Sequence, residues 1–230
     1  MLSLSAFQSM LAGAGWTVAH IKGFDKGMGS YYHEEAIEKL GSYQAIAFDG
    51  DNYEEDGFTA LIPKFLALAA DKVVIAFKLN EEIDEMKRSY ASLDVLHRMT
   101  IVGVDTDKAM NMMTSETKRL GDMPQWCLEY YALGRVAIKA TGSMFVLCLG
   151  GGSIAQNEAE ANIKAGGSWV VFALSRGEKE RFPSVMDWAQ QNHGHNVQFV
   201  RGKDPHEQDG FATLAESTMS SRPQLQESIM

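Results

Sequence analysis

Short, continuously apolar segments recur along the chain and alternate with longer amphipathic ones. Two of these segments, Val73 to Phe77 and Phe145 to Leu149, are apolar at every position instead of at every second position. That pattern is typical of strands buried on both faces, as in a parallel sheet covered by helices. Regular alternation of such strands with helices implies right-handed crossovers and a layered α/β domain.

The pattern assigns almost the whole chain to strands and helices in alternation. Predicted strands cover Trp16 to Lys22, Gln44 to Phe48, Lys72 to Lys78, Met99 to Val104, Met144 to Leu149, Trp169 to Leu174 and Val197 to Val200. Predicted helices cover Leu4 to Ala12 (on the surface), Tyr31 to Leu40, Phe58 to Ala70, Glu81 to Leu93, Gln125 to Ala140, Ile154 to Ala165 and Val185 to Gln191. Pro63 is expected to kink its helix or to mark a late start.

The predicted fold class is therefore α/β, with a doubly wound, mostly parallel, Rossmann-like sheet in a single domain. No internal repeat or convincing linker divides the chain, so we assign residues 1–216 to this domain. Residues 217–230 are polar and are interpreted as a C-terminal tail. At 230 residues, the chain is long enough for a substantial buried core.

Charge and composition exclude several classes of function. The formal net charge of −9 disfavours broad binding to nucleic acid or to an anionic membrane, since both need a cationic face. No apolar run reaches the roughly 20 residues of a membrane span, and no Lys or Arg precedes Lys22, so neither a span nor a signal peptide is predicted. Cys148 lies in an apolar strand pattern and is expected to be a buried thiol, which favours a reducing, cytoplasmic setting.

Three loops follow predicted strands and have the composition of a ligand site. They are Gly23 to Gly29, Asp49 to Gly57 and Gly150 to Ser153. In open parallel sheets, ligands bind beyond the carboxyl ends of the strands. We therefore predict that Gly23, Gly50 and Gly57 of the first two loops contribute to binding.

The loop Gly150-Gly151-Gly152-Ser153 is the strongest candidate of the three. Its glycines allow backbone N–H groups to approach a ligand closely, and the following helix presents its positive end to an anion. A nucleotide or another small phosphorylated ligand is the expected occupant. A tight strand-to-helix turn without a ligand is the alternative.

The block from Arg135 to Glu158 resembles the lysine-decarboxylase-like Lonely Guy (LOG) family of the SLOG superfamily. That family carries an arginine on a helix, then an apolar strand, then Pro-Gly-Gly-x-Gly-Thr-x-x-Glu. Gly151 and Gly152 match its glycine pair, and Gly150 replaces its proline. The order of the other elements is similar over most of the chain, but only this block is specific.

The resemblance implies hydrolysis of the N-glycosidic bond of a nucleoside monophosphate, as in cytokinin riboside monophosphate phosphoribohydrolases. Glu158 is then expected to stabilise positive charge on the sugar and to orient water. Arg135 would anchor the phosphate through its planar guanidinium group. No cofactor or metal is implied. A helix-capping acid and a surface arginine are the alternative interpretations of these two residues.

Two departures from the family motif favour a different class of function. Ile154 stands where the motif has its later glycine, and Ala155 stands where it has threonine. The larger Ile154 narrows a phosphate cradle, and Ala155 removes a hydroxyl donor. The alternative hypothesis is a catalytically inactive SLOG-type domain that senses a nucleotide or serves as a structural subunit of a larger complex.

The acidic loop from Asp49 to Gly57 allows several interpretations. Its five carboxylates are expected to point to solvent, with a divalent cation site as the alternative. Asp49-x-Asp51 after an apolar strand is also typical of haloacid dehalogenases. That family needs a downstream lysine and an acidic pair that we cannot place, so this alternative is disfavoured.

We predict a homodimer, or a subunit of a protein complex, that uses the helix with Trp126, Leu128, Tyr130 and Tyr131. This helix has more aromatic surface than one core face needs, and LOG-family members usually complete each site with a neighbour's residues. Light scattering at high protein concentration is expected to give a mass well above that of a monomer. A monodisperse monomer of about 25 kDa would contradict the prediction.

Overall fold

The computed structural model describes residues 2–3, 6–7, 9–10, 13, 16–23, 33–105, 146–149, 170–174, 188–189, 191–194 and 197–201. Within these residues, eight strands form one sheet, and every neighbouring pair is parallel. The strands are β1 Leu2–Ser3, β2 Val18–Gly23, β3 Ala45–Phe48, β4 Val73–Leu79, β5 Met99–Val104, β6 Val146–Leu149, β7 Val170–Leu174 and β8 Val197–Arg201. The predicted parallel α/β sheet is confirmed.

The strand order is β1-β5-β4-β3-β2-β6-β7-β8. From β2 the chain adds β3, β4 and β5 on one side, and then adds β6, β7 and β8 on the other side. The order therefore reverses between β2 and β6, which is the switch point of a doubly wound sheet. The segment predicted to be central, Met144 to Leu149, contains β6, which lies between β2 and β7.

Three helices connect the strands from β2 to β5. They are α1 His33–Leu40, α2 Leu61–Leu68 and α3 Ile83–Tyr90. Short 3-10 turns adjoin them at Phe58–Ala60, Asn80–Glu82, Ala91–Leu93 and Leu96–Arg98. Pro63 lies in the first turn of α2, where its missing N–H breaks no helical hydrogen bond. The α-helix thus begins at Leu61 and not at Phe58, which is the late start that Pro63 indicates.

Both faces of the sheet are covered, which explains why its strands are continuously apolar. One face carries Ile21, Phe48 and Val74 against the helices, where Phe65 and Tyr90 are completely buried. The opposite face carries a second apolar cluster, whose members are Phe7, Val18, Ala45, Ala47, Ile75, Phe77, Leu79, Val102 and Val104. Burial of this apolar area stabilises the fold at roughly 25 cal/mol per Å².

The N-terminal segment packs more deeply than its sequence indicates. Phe7 is completely buried, and its ring meets the Phe77 ring edge-on at 5.3 Å between centroids. Leu2–Ser3 pairs with β5 as an additional strand. The prediction of a purely surface helix over Leu4 to Ala12 is therefore wrong for Phe7, because the face of the sheet near β4 needs an apolar cover.

Several predicted elements lie outside the described residues. These are the helices Gln125 to Ala140 and Ile154 to Ala165 and the tail 217–230. Among the helices that the structure describes, none has the length and apolar character that crossing a membrane requires.

Gly23 provides a direct test of how closely β2 and β6 approach at the switch point. A Cβ atom at Gly23 would lie 2.4 Å from the Leu149 carbonyl oxygen, whereas one at the exposed, helical Gly13 would meet nothing within 4 Å. We expect Gly23→Ala to lower the free energy of unfolding by about 1–3 kcal/mol because a backbone oxygen cannot easily move aside. Gly13→Ala is expected to be neutral or slightly stabilising. Equal urea midpoints for the two variants would contradict the close approach.

Candidate functional site

Charged side chains gather where β2, β3 and β4 end. His20 and Lys22 are two positions apart on β2 and therefore lie on the same face of the sheet. His20 pairs in register with Ala47 of β3, and Lys22 pairs with Cys148 of β6. Asp49 follows β3 directly, so these residues meet beside the switch point.

Lys22 and Asp49 form a buried ion pair. The Lys22 Nζ donates a hydrogen bond to Oδ2 of Asp49, and the two residues are 9% and 5% exposed. Burial alone raises the pKa of Asp49. The positive charge of Lys22 and hydrogen bonds from His20 and Lys22 outweigh burial and hold that pKa well below its ordinary value. Asp49 is therefore ionised at neutral pH, and Lys22 balances its charge.

His20 completes the Asp49 contacts from inside the sheet. Its Nε2 lies 3.3 Å from Oδ1 of Asp49, and because an ionised carboxylate only accepts, Nε2 must donate. Complete burial lowers the pKa of His20, more strongly than Asp49 raises it, so the ring is neutral at pH 7. Its Nδ1 is then an acceptor, and among the residues that the structure describes this buried atom has no hydrogen-bond partner.

Gly50 turns the chain after Asp49 in a way that only glycine tolerates. Its φ is +70°, and a Cβ atom would lie 2.6 Å from the Phe77 carbonyl oxygen and 2.9 Å from Cδ of Lys78. The next residue, Asp51, is fixed by Tyr90, whose hydroxyl donates to the Asp51 carbonyl oxygen at 2.9 Å. The turn therefore sets the direction of Asp51 through tertiary contacts.

The Asp51 carboxyl group lies among four other charged side chains. Burial and the negative charge of Asp49 raise its pKa from 3.8 to about 6, and the positive charges of Lys22 and Lys78 oppose this shift. Lys78 in turn donates to Oε2 of Glu82 at 2.6 Å. Asp51 remains partly exposed to solvent. It is thus an acid that loses its proton as the pH rises through about 6.

The rest of the acidic loop folds against α3. Asn52 donates to Glu85 at 3.1 Å, and the Tyr53 N–H donates to the Ser89 hydroxyl at 3.0 Å. Of the five carboxylates, only Glu55 and Asp56 belong to exposed residues. The prediction of a loop that points to solvent is therefore wrong for Asp49, which is buried beside Lys22, whereas Asp51 is partly exposed.

Gly57 belongs to a separate contact between helices. Its carbonyl oxygen accepts a hydrogen bond from the buried His33 at 3.1 Å, and its N–H donates to the Glu54 carbonyl at 3.3 Å. Nδ1 of His33 accepts from Lys64 at 2.9 Å. Burial and the nearby Lys64 charge lower the pKa of His33, so this ring is neutral and joins α1, the loop and α2.

The predicted site residues divide into two groups. Gly23 and Gly50 lie at the carboxyl edge of the sheet, and Gly57 lies in the contact with His33 just described. Gly150, Gly151, Gly152, Ser153, Arg135 and Glu158 are outside the described residues. The loop that contains Gly150 begins directly after Leu149, which lies next to Gly23 in the sheet.

Sequence reasoning missed His20, Lys22 and Lys78. Each is a polar residue close to the carboxyl end of an otherwise apolar strand. A buried histidine or lysine at such a position needs a partner, and that requirement was the signal that could have found them. Their partners are loop residues whose positions depend on strand register.

No family model, characterised protein or solved structure matches the chain. Over the residues that the structure describes, no three His, Cys, Asp or Glu side chains converge as metal ligands. The geometry of the carboxyl edge is therefore the basis of the functional argument.

We expect Asp51→Asn to stabilise the protein at pH 7.5 by an amount on the order of 1–3 kcal/mol. The folded-state pKa of Asp51 lies above its ordinary value, so this group's contribution to stability is present below pH 4 and lost as pH rises through about 6. The stabilisation by Asp51→Asn, measured by urea unfolding, should therefore be smaller at pH 4.5 than at pH 7.5.

Asp49→Asn should have the opposite effect, because it leaves Lys22 without its buried counter-ion. We expect it to lower the free energy of unfolding by about 3–5 kcal/mol. Asp56→Asn, at an exposed position of the same loop, serves as the matched control and should stay within about 0.5 kcal/mol of wild type. A destabilised Asp51→Asn protein at pH 7.5 would contradict the raised pKa, because it would show that Lys22 and Lys78 stabilise the Asp51 carboxylate more than burial disfavours it.

Proposed function

We propose that the protein binds a nucleotide, or another small phosphorylated ligand, at the carboxyl edge of the sheet between β2 and β6. The observation that carries this proposal is the reversal of strand order at that point. In open α/β sheets, the loops after the two strands at the reversal diverge and leave a crevice between them. The two loops here are those that begin at Gly23 and Gly150.

The glycines suit this position. Gly23 lies so close to the Leu149 carbonyl oxygen that no larger residue fits between the two strand ends. The loop from Gly150 to Ser153 would supply backbone N–H donors, and the predicted helix after it would direct its positive end at a phosphate. Arg135 would add a bidentate contact to the same group.

The charge balance beside the crevice permits an anion. Asp49 is the acid nearest to β2, and its charge is balanced by Lys22 while His20 is neutral. A phosphate at the end of β6 therefore does not face an uncompensated carboxylate on the adjoining strand. This balance removes the repulsion that the acidic loop suggests in the sequence.

The proposed reaction is hydrolysis of the N-glycosidic bond of a nucleoside monophosphate. Water adds its hydroxyl to the sugar carbon as the bond to the base breaks, and its proton goes to the base. Glu158 would stabilise the positive charge that develops on the sugar and would orient the water. The resemblance of the Arg135–Glu158 block supports this step.

The competing proposal is a nucleotide-binding domain without catalysis, acting as a sensor or as a subunit of a complex. Ile154 and Ala155 at the motif's glycine and threonine positions favour it. Binding is common to both proposals, and turnover separates them.

We further propose a cytoplasmic location and a dimeric or complexed state. The burial of Cys148 within β6, where a thiol is expected, supports a reducing compartment. The aromatic helix with Trp126 and Tyr130 supports the assembly.

Incubation with AMP and related nucleoside monophosphates tests the proposal, with free base and ribose 5-phosphate as the products to detect. Glu158→Gln is expected to lower turnover by at least about 100-fold while binding persists, because the charge acts mainly in the transition state. Arg135→Ala should weaken binding itself, since a phosphate contact is lost in the ground state as well.

The exposed Glu34 and Arg88 supply matched controls, and Glu34→Gln and Arg88→Ala should behave as wild type. Binding without turnover would favour the sensor or subunit. Failure of every nucleoside monophosphate and of ADP-ribose to bind would overturn the proposal.

A further inference from the structure

Lys22, Asp49 and His20 form the arrangement from which an amine and a carboxyl group condense into an amide. The Lys22 Nζ is hydrogen-bonded to Oδ2 of Asp49, and both residues are buried. The completely buried His20 contacts the other carboxylate oxygen, Oδ1, at 3.3 Å. An amine, a carboxyl group and a neutral hydrogen-bond donor thus meet at one carbon atom, Cγ of Asp49, where little water has access.

Strand register holds the amine against the carboxyl group. β2 and β3 are parallel and His20 pairs with Ala47, so the same register places Lys22 opposite Asp49. The Gly50 turn fixes the chain directly after Asp49. Two groups that the fold holds in a reactive orientation behave as if each were present at an effective concentration of about 10⁵–10⁸ M.

Burial favours the uncharged forms of these two groups over the ions. A buried ion pair recovers only part of the free energy that its ions lose on leaving water. Transfer of one proton from Nζ to Oδ2 converts the pair into an amine and a carboxylic acid, and an amide formed from them carries no charge. The pair between Lys78 and Glu82 is the contrasting case, because Glu82 is 43% exposed and water stabilises its charge.

We propose that Lys22 and Asp49 condense spontaneously into an isopeptide bond, which joins β2 covalently to the end of β3. After the proton transfer, the Nζ lone pair attacks Cγ, and negative charge collects on Oδ1. A second Nζ proton then moves to Oδ2, the Cγ–Oδ2 bond breaks, and Oδ2 leaves as water. The Nζ–Cγ bond and the Oδ1 carbonyl remain, and no oxidant, reductant or further reactant takes part.

His20 is the catalytic residue of this step. Its Nε2–H donates to Oδ1, the oxygen on which negative charge develops and which becomes the amide carbonyl oxygen. The ring gives up no proton in the reaction, so Nδ1 needs no base beside it. This agrees with the finding that no described residue forms a hydrogen bond to Nδ1.

The bond has two consequences for the protein. It closes a loop of the chain from Lys22 to Asp49 that persists on unfolding and lowers the entropy of the unfolded state, as a disulfide does. The charges of the two residues disappear together, so the charge balance beside the proposed nucleotide crevice is unchanged. The inference therefore does not depend on nucleotide binding.

The intact mass of the full chain, measured after denaturation, tests the proposal. Wild type is expected to be lighter than its sequence by one water molecule. Trypsin should leave Lys22 uncut and release a branched peptide in which residues 1–26 are joined to residues 40–64. A mass equal to that of the sequence, unchanged after prolonged incubation of the folded protein, would overturn the inference.

A cyclic imide at Asp49–Gly50 would also remove one water molecule, and a variant of Lys22 distinguishes it from the isopeptide bond. Lys22→Arg keeps a positive charge beside Asp49, but its guanidinium group stays protonated and is not a nucleophile. The mass of this variant should equal that of its sequence, whereas a persistent loss of water would identify the imide and overturn the proposal. Lys78→Arg, in the solvated pair, is the matched control and should keep the branched peptide.

His20→Ala tests the catalytic role. Without a donor at Oδ1, the linked form should accumulate about 100-fold or more slowly, so that freshly purified protein is largely unlinked. His20→Gln supplies an amide N–H donor and should recover part of the rate. Circular dichroism identifies a variant that has lost the fold, and the comparison then rests on His20→Gln, whose rate should lie below that of wild type. Folded variants that link as fast as wild type would overturn the role of His20.

Discussion

The buried ion pair between Lys22 and Asp49 determines how the rest of the carboxyl edge is organised. It joins the end of β2 to the first residue after β3, and His20 supports it from within the sheet. Removing either partner leaves an uncompensated charge among apolar neighbours. The resulting loss of stability is far larger than the stability that the intact pair contributes. The pair also balances the charge of Asp49 at the point where β3 ends.

The alternation of apolar strands with amphipathic helices was sufficient to predict the parallel α/β sheet. Strands buried on both faces are apolar at every position, whereas half-exposed strands alternate, and this difference predicts that β4 and β6 lie inside the sheet. Element bounds were less predictable. The helix predicted over Phe58 to Ala70 begins as a 3-10 turn and becomes α-helical at Leu61, because Pro63 is compatible with a first turn but not with a helix interior.

The charged cluster could not be predicted in the same way. His20 and Lys22 are separated from Asp49 by 29 and 27 positions, and their contact depends on the register of β2 against β3. The special conformation of Gly50 likewise depends on the distant Phe77 carbonyl group. Local sequence contains neither fact. Doubly wound sheets carry many unrelated functions, so the fold alone does not select one.

The charges at the carboxyl edge are balanced next to the place where the phosphate is proposed to bind. The glycine loop of that proposal follows β6, and Lys22 of the adjoining β2 pairs with Asp49 at the end of β3. Lys22 therefore compensates the charge of Asp49 and lowers the repulsion that this acid would exert on an anion. Breaking the pair would both destabilise the fold and leave an unbalanced carboxylate at the edge of the sheet.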